Sequence, residues 1–102
     1  MSFKVRYSPA ALNDIRNIYH YITVVLKAPV AAKDVVNRIR ERIKELDTFP
    51  EKHPIRELKN RKDIRQLTVG NYEVFYTVYK KNNTVMIARI LYGGMNIDDM
   101  NI

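Results

Sequence analysis

Apolar, β-branched and aromatic residues dominate the second half of the chain, between residues 63 and 94. Their pattern predicts three strands, over residues 64–69, 72–79 and 84–92, joined by Gly70-Asn71 and by a polar tip at residues 80–83. Val, Ile, Thr, Tyr and Phe suit a pleated, largely buried surface, and Gly and Asn tolerate the left-handed backbone of turns. Such a sheet leaves an apolar face that the rest of the chain must cover.

The first half predicts one strand and two helices. Residues 3–7 alternate apolar with basic side chains, as in a half-buried strand whose apolar residues Phe3, Val5 and Tyr7 point inward. Ser8-Pro9 then matches a helix N-cap followed by proline in the first turn. Apolar residues recur at helical spacing over residues 9–25, namely Leu12, Ile15, Ile18, Tyr19, Ile22 and Leu26 just beyond. A second amphipathic helix is predicted over residues 29–48.

The predicted order is therefore βααβββ, which places the chain in the α+β class. Because the two helices are joined by a short link, they are expected to form an antiparallel hairpin. This hairpin would pack on a small, mostly antiparallel twisted sheet. At 102 residues the chain is expected to form one domain over residues 1–102.

Positive charge is the strongest feature of the composition, with a formal net charge of +7. Residues 52–65 contain six Lys or Arg against two acids, a net +4 in one connecting segment. This basic segment is the predicted surface for a polyanion or another target, although a solvated loop is an equal alternative. Its cations are Lys52, Arg56, Lys59, Arg61, Lys62 and Arg65.

The composition also argues against several classes of site. The chain has no cysteine, which excludes disulfides and thiolate metal sites and fits a reducing cytoplasm. No signal-like run opens the sequence, and no apolar stretch approaches the ~18 residues of a membrane span. Gly-rich phosphate loops, nucleophile elbows and metal-spaced histidines are missing. We therefore expect no cofactor, no metal and no membrane contact.

Two positions carry most of the candidate chemistry. His53 lies in the basic segment and is a candidate acid or base, because an imidazole titrates near neutrality, whereas His20 is expected to be structural. Arg89 interrupts an apolar strand, and Glu73 on the neighbouring strand is the expected partner if Phe75 faces Arg89. Arg65, Arg89 and Tyr92 would form an anion-binding cluster if the register put them on one face.

Several short motifs indicate a family resemblance. The chain resembles the RelE/ParE superfamily of type II toxin–antitoxin toxins in its element order and in short motifs along most of its length. The motifs are Val5-x-Tyr7-Ser8-Pro9, Tyr21-Ile22, Leu46-x-x-Phe49-Pro50, Arg65-x-Leu67-x-Val69-Gly70-Asn71-Tyr72-x-Val74-Phe75-Tyr76 and Arg89-Ile90-Leu91-Tyr92-Gly93-Gly94.

The resemblance implies a toxin that inhibits growth and is neutralised by a co-expressed cognate antitoxin, with operator DNA bound only through the complex of the two. RelE-like members cleave mRNA at the ribosome without a metal, and basic residues stabilise the developing charge. On this interpretation Arg65, Arg89, Tyr92 and His53 would be the catalytic residues. ParE-like members instead bind DNA gyrase without catalysis of their own.

Departures from the nuclease pattern favour the ParE-like interpretation. Glu73 follows Tyr72 where RelE-type nucleases place an arginine, and Met95 and Asn96 stand where a second arginine is expected. A carboxylate beside a scissile phosphate repels it. Only residues 95–102 remain for a C-terminal helix, and their apolar members Ile97, Met100 and Ile102 suggest docking onto a partner or onto the domain itself. A ribosome-dependent endoribonuclease and a generic nucleic-acid-binding module are the alternatives.

Overall fold

A four-stranded mixed sheet forms the centre of the computed structural model, which describes residues 2–95, 97–99 and 102. The strands are β1 (Lys4–Tyr7), β2 (Arg65–Val69), β3 (Tyr72–Tyr79) and β4 (Thr84–Tyr92), in the spatial order β1-β4-β3-β2. The β2–β3 and β3–β4 pairs are antiparallel, and β1 runs parallel to β4. The predicted α+β class and the mostly antiparallel sheet are confirmed.

Two helices pack on one face of this sheet. They are α1 (Pro9–His20), capped by the Ser8 hydroxyl that accepts from the Ala11 N–H, and α2 (Pro29–Lys44). Their buried residues join alternate residues of the strands in the main apolar core. The helical hairpin was thus predicted correctly, since its apolar stripes follow the 3.6-residue period.

Both helices end earlier than the sequence predicts. The α1 backbone continues as a π-helical turn over Tyr21–Val25, and α2 continues as a short 3₁₀ turn over Glu45–Asp47. The wider π turn keeps Ile22 buried but turns Leu26 outward, with more than half of its surface exposed. Leu26 therefore does not belong to the buried stripe.

A second, smaller apolar cluster lies on the opposite face of the sheet. Phe75 and Leu91 point to this side because strand residues alternate between faces. Leu58 and Ile64 from the basic segment cover them, together with Ile97 near the C-terminus. Ile97 and Ile102 thus dock on the domain itself, whereas Met100 lies outside the described residues. No described helix has the length and apolar composition needed to cross a bilayer.

The chain leaves α2 through a strained turn at Phe49-Pro50. Phe49 adopts a left-handed conformation with φ of 57°, which costs an L-residue roughly 1–2 kcal/mol, and a following proline also disfavours helical backbone. Hydrogen bonds from two side chains hold the turn in place. The buried Tyr76 hydroxyl donates to the Pro50 carbonyl at 2.5 Å, and Arg65 Nη1 donates to the carbonyls of Glu51 and His53 at 2.9 and 2.7 Å.

Candidate functional site

An apolar groove of about 860 Å³ separates the helical hairpin from the end of β4. The π turn and the start of α2 form one wall, and β4 with the residues after it forms the other. Several large side chains of the groove are about half exposed or more, namely Tyr21, Leu26, Tyr92 and Met95. A concave, mostly apolar groove with a few polar groups is the usual form of a binding site, so the groove is a candidate binding site.

One buried ion pair lies in this groove. Arg89 Nε and Nη2 donate to Asp14 Oδ2 and Oδ1 at 2.8 and 2.9 Å, and the Ile90 N–H donates to the same carboxylate at 2.9 Å. The Asp14 side chain is 8% exposed and that of Arg89 is 24% exposed. The hydrogen bond from Arg89 to Asp14 raises the pKa of the guanidinium, so Arg89 stays charged.

The predicted Glu73–Arg89 pair is therefore wrong. Phe75 does face Arg89 as predicted, but a bulge leaves Ala88 without a partner on β3. Such a bulge bends the strand and re-aims neighbouring side chains. In addition, β4 extends beyond its pairing with β1, so α1 lies along this free edge and Asp14 receives the Ile90 N–H.

Glu73 instead serves the opposite edge of β3. Its Oε1 accepts hydrogen bonds from Gln66 Nε2 and Thr68 Oγ1, both at 2.7 Å. Both donors lie on β2, so the carboxylate staples the β2–β3 hairpin. The Glu73 carboxylate thus finds hydrogen-bond donors within the β2–β3 hairpin, away from the groove.

The four residues expected to be catalytic in a nuclease do not converge. Arg89 and Tyr92 line the groove, where the Tyr92 ring packs edge to face on Tyr72 with centroids 5.9 Å apart. Arg65 is at the far side of the sheet, and its guanidinium holds the carbonyls of Glu51 and His53. The strand order separates Arg65 from Arg89 and Tyr92, because β3 lies between β2 and β4.

His53 lines a separate shallow cleft of about 560 Å³ beside β2, together with Arg42 and Arg56. Burial and then the positive charges of Lys52 and Arg42 lower the pKa of His53. The imidazole is therefore neutral at physiological pH. His20, expected to be structural, is exposed at the end of α1.

The arginines of the basic segment are occupied by internal partners. Arg61 makes two hydrogen bonds with Asp63, at 2.8 and 2.9 Å, and a third with Thr77 at 3.1 Å. Arg56 donates to Gln66 Oε1 at 3.1 Å. These bonds fold the segment over the second apolar cluster and reduce the charge that it can offer to a polyanion.

The lysines of the segment stay at the surface. Lys52, Lys59 and Lys62 are exposed, and Lys62 lies 3.8 Å from the carboxylate of Glu57. A pair at this distance between exposed groups contributes little free energy. The role of these cations in binding a target remains a prediction.

Sequence reasoning missed Asp14 and the groove. Asp14 shares the buried face of α1 with Ala11, Ile15 and Ile18, a spacing of three, four and seven residues. A lone acid in this stripe was the available signal for a buried partner. Within the described part of the chain, no cluster of three or more His, Asp or Glu side chains could hold a metal ion.

Comparison with known proteins identifies the family. Residues 5–97 match the family model described as the ParE toxin of the type II toxin–antitoxin system parDE. The fold is similar to a chromosomal ParDE toxin–antitoxin structure from P. aeruginosa, with a TM-score of 0.72 and 22% identity over 89% of this chain and 96% of that chain. No curated protein sequence matches.

Two RelE structures are also similar in fold. The RelBE2 toxin–antitoxin complex from Mycobacterium tuberculosis gives a TM-score of 0.63 at 18% identity, covering 90% of this chain and 92% of that chain. The archaeal RelE–RelB complex from Pyrococcus horikoshii gives 0.63 at 19% identity, covering 94% and 100%. The predicted RelE/ParE resemblance is confirmed, and the family-model match shows that this chain belongs to the ParE toxin family of type II toxin–antitoxin systems.

Proposed function

We propose that this chain is the growth-inhibiting toxin of a type II toxin–antitoxin module and that it acts in the cytoplasm by binding DNA gyrase. On this proposal it contributes shape and charge but no chemical step. A cognate antitoxin neutralises it by occupying the apolar groove.

The dispersal of the candidate catalytic groups carries this proposal. Phosphodiester cleavage needs cations held around the position where negative charge develops. Arg65 and Arg89 each donate hydrogen bonds to internal acceptors, and they lie on strands separated by β3. Freeing Arg89 would leave the buried Asp14 carboxylate unpaired, which is energetically costly. A binding mechanism needs none of these groups to be free.

The groove supports an antitoxin partner. The ParDE and RelBE structures that share this fold are toxin–antitoxin structures. An apolar groove of this volume suits the apolar face of an amphipathic helix, which anchors through residues at helical spacing. Tyr21, Leu26 and Tyr92 would supply the exposed anchors on the toxin side, and a peptide covering them removes a large apolar area from water.

An mRNA endoribonuclease is the second candidate function. The observation that favours it is that Arg89 and Tyr92 line the same groove, where a phosphate and a hydroxyl donor could meet. Tyr92 distinguishes the two functions well, because its hydroxyl has no hydrogen-bond partner among the described residues and its removal leaves the contact with Tyr72 in place.

The test compares wild type with Tyr92→Phe in two purified assays, gyrase supercoiling and ribosome-dependent mRNA cleavage. We expect both proteins to inhibit supercoiling within about twofold of each other and to leave mRNA intact. Cleavage by the wild type that is lost in Tyr92→Phe would contradict the proposal and establish the nuclease. Binding to nucleic acid that weakens linearly in log–log salt plots, without growth arrest, would indicate a generic binding module.

A further inference from the structure

Phe49 is an exposed aromatic residue that the fold holds in an unfavourable backbone conformation. The residue is 76% exposed, although its φ of 57° is one that bulky residues rarely adopt. Burial of the ring therefore cannot be what compensates the strain. Residues held in such conformations by their surroundings concentrate at binding and catalytic sites.

The surrounding structure fixes the backbone of the turn that carries the ring. Pro50 is buried directly after it and accepts the hydrogen bond from the buried Tyr76 hydroxyl. Arg65 Nη1 bridges the carbonyls of Glu51 and His53, which lie two and four residues further on. The turn that carries the ring is thus held in place, so little backbone conformational entropy is lost when a partner binds the ring.

The charges around Phe49 favour a protein partner over a nucleic acid. Glu45, Asp47 and Glu51 lie within four residues of the ring, with Lys52 beside it, and Arg42 lies 3.6 Å from Glu45 and Lys80 3.2 Å from Glu51. A surface that mixes both signs of charge has little net attraction for a phosphate backbone, whereas a protein surface that also carries both signs can match it. Buried aromatic anchors with a polar rim are the usual hot spots of protein interfaces.

The position of Phe49 separates it from the groove. The groove lies at the start of α2 and Phe49 follows its end, and a helix of 16 residues spans about 24 Å. A partner segment seated in the groove therefore leaves this end of the molecule as a second surface. We propose that Phe49 is the anchor residue with which the toxin binds its protein target, a role that rests on the proposed binding function.

The experiment measures the affinity of the purified chain for DNA gyrase and, separately, for its cognate antitoxin and for an RNA oligonucleotide. Phe49→Asn removes the ring but suits the left-handed backbone, and Phe49→Tyr retains the ring. Val30→Asn is the matched control, because Val30 is 74% exposed at the opposite end of α2 and lies outside the groove. Thermal melting of each variant reports the fold.

We expect Phe49→Asn to bind gyrase about 30-fold more weakly or worse, the loss typical of a hot-spot aromatic. Phe49→Tyr should bind gyrase with an affinity much closer to that of wild type, and Val30→Asn should bind gyrase with unchanged affinity. All variants should bind antitoxin normally and melt within a few degrees of wild type. In cells, Phe49→Asn should lose growth arrest.

Four results would overturn the role of Phe49. They are unchanged gyrase binding in Phe49→Asn, an equal loss of antitoxin binding, a selective loss of oligonucleotide binding, and a large drop in melting temperature. Failure of the proposed function has a different signature, since wild type would then arrest growth without binding gyrase. In that case growth arrest by Phe49→Asn decides the role of the ring. Retained arrest refutes the anchoring role, and lost arrest supports an anchoring role toward another protein target.

Discussion

The Asp14–Arg89 pair gives the sharpest prediction about the fold. Replacing Asp14 with alanine removes both acceptors of the Arg89 guanidinium and the acceptor of the Ile90 N–H. The arginine remains as a largely buried charge and the N–H as an unsatisfied donor. Breaking a buried pair on one side typically costs about 3–5 kcal/mol, and the 24% exposure of Arg89 favours the low end.

We therefore expect Asp14→Ala to lower the free energy of unfolding by about 3 kcal/mol. For a chain of this size the melting temperature would fall by about 12–24 °C, because each kcal/mol corresponds to about 4–8 °C. Thermal melts and urea titrations followed by circular dichroism measure both quantities. Glu45→Ala is the control, since it breaks the exposed Arg42–Glu45 contact of 3.6 Å and should cost less than about 0.5 kcal/mol.

A double-mutant cycle tests the reasoning behind this number. If the cost arises from an unpaired charge, Asp14→Ala combined with Arg89→Ala should be less destabilising than the sum of the single changes by about 1–3 kcal/mol. Additive effects, or a loss below about 1 kcal/mol in Asp14→Ala alone, would refute the structural role of the pair. Arg89 would then be free for another role, including catalysis.

Two further predictions concern pH and the antitoxin. The pKa of His53 lies below its unfolded value of about 6.5, so the unfolded state binds the proton first and wild type loses stability as pH falls through 6.5. The melting temperature of His53→Gln relative to that of wild type should therefore rise as the pH falls below 6.5 and stay constant above it. A constant difference at every pH would contradict the burial of the imidazole. Leu26→Asp should weaken antitoxin binding about 30-fold or more while growth arrest persists, measured by titration calorimetry and induction. Leu12→Asp, on α1 outside the groove, is the control, and an equal loss there would argue against the groove.

The sequence predicted the elements and their order because these follow from periodicity and turn residues. The strands over residues 72–79 and 84–92 have the predicted bounds, and proline begins both helices. The π-helical turn that follows α1 could not be predicted from these patterns. Its π turn contacts α2, and Leu26, just after the turn, lines the groove rather than the core.

The partners of the charged residues were harder to predict, since they depend on register and on long-range packing. Arg89 was correctly identified as a charge that needs a partner, but the bulge at Ala88 and the free edge of β4 select Asp14, 75 residues away. Arg65 was a candidate for an anion-binding cluster with Arg89 and Tyr92, yet it binds two backbone carbonyls of the preceding segment. Neither contact leaves a local pattern in the sequence.

The central claim, inhibition of gyrase by binding, is tested most directly in growing bacteria that express the chain without an antitoxin. New RNA 5′ ends and trapped DNA double-strand breaks would be mapped from the same culture minutes after induction. We predict growth arrest with trapped breaks and intact messages. Discrete new 5′ ends inside translated codons, without trapped breaks, would contradict the account and establish a ribosome-dependent nuclease.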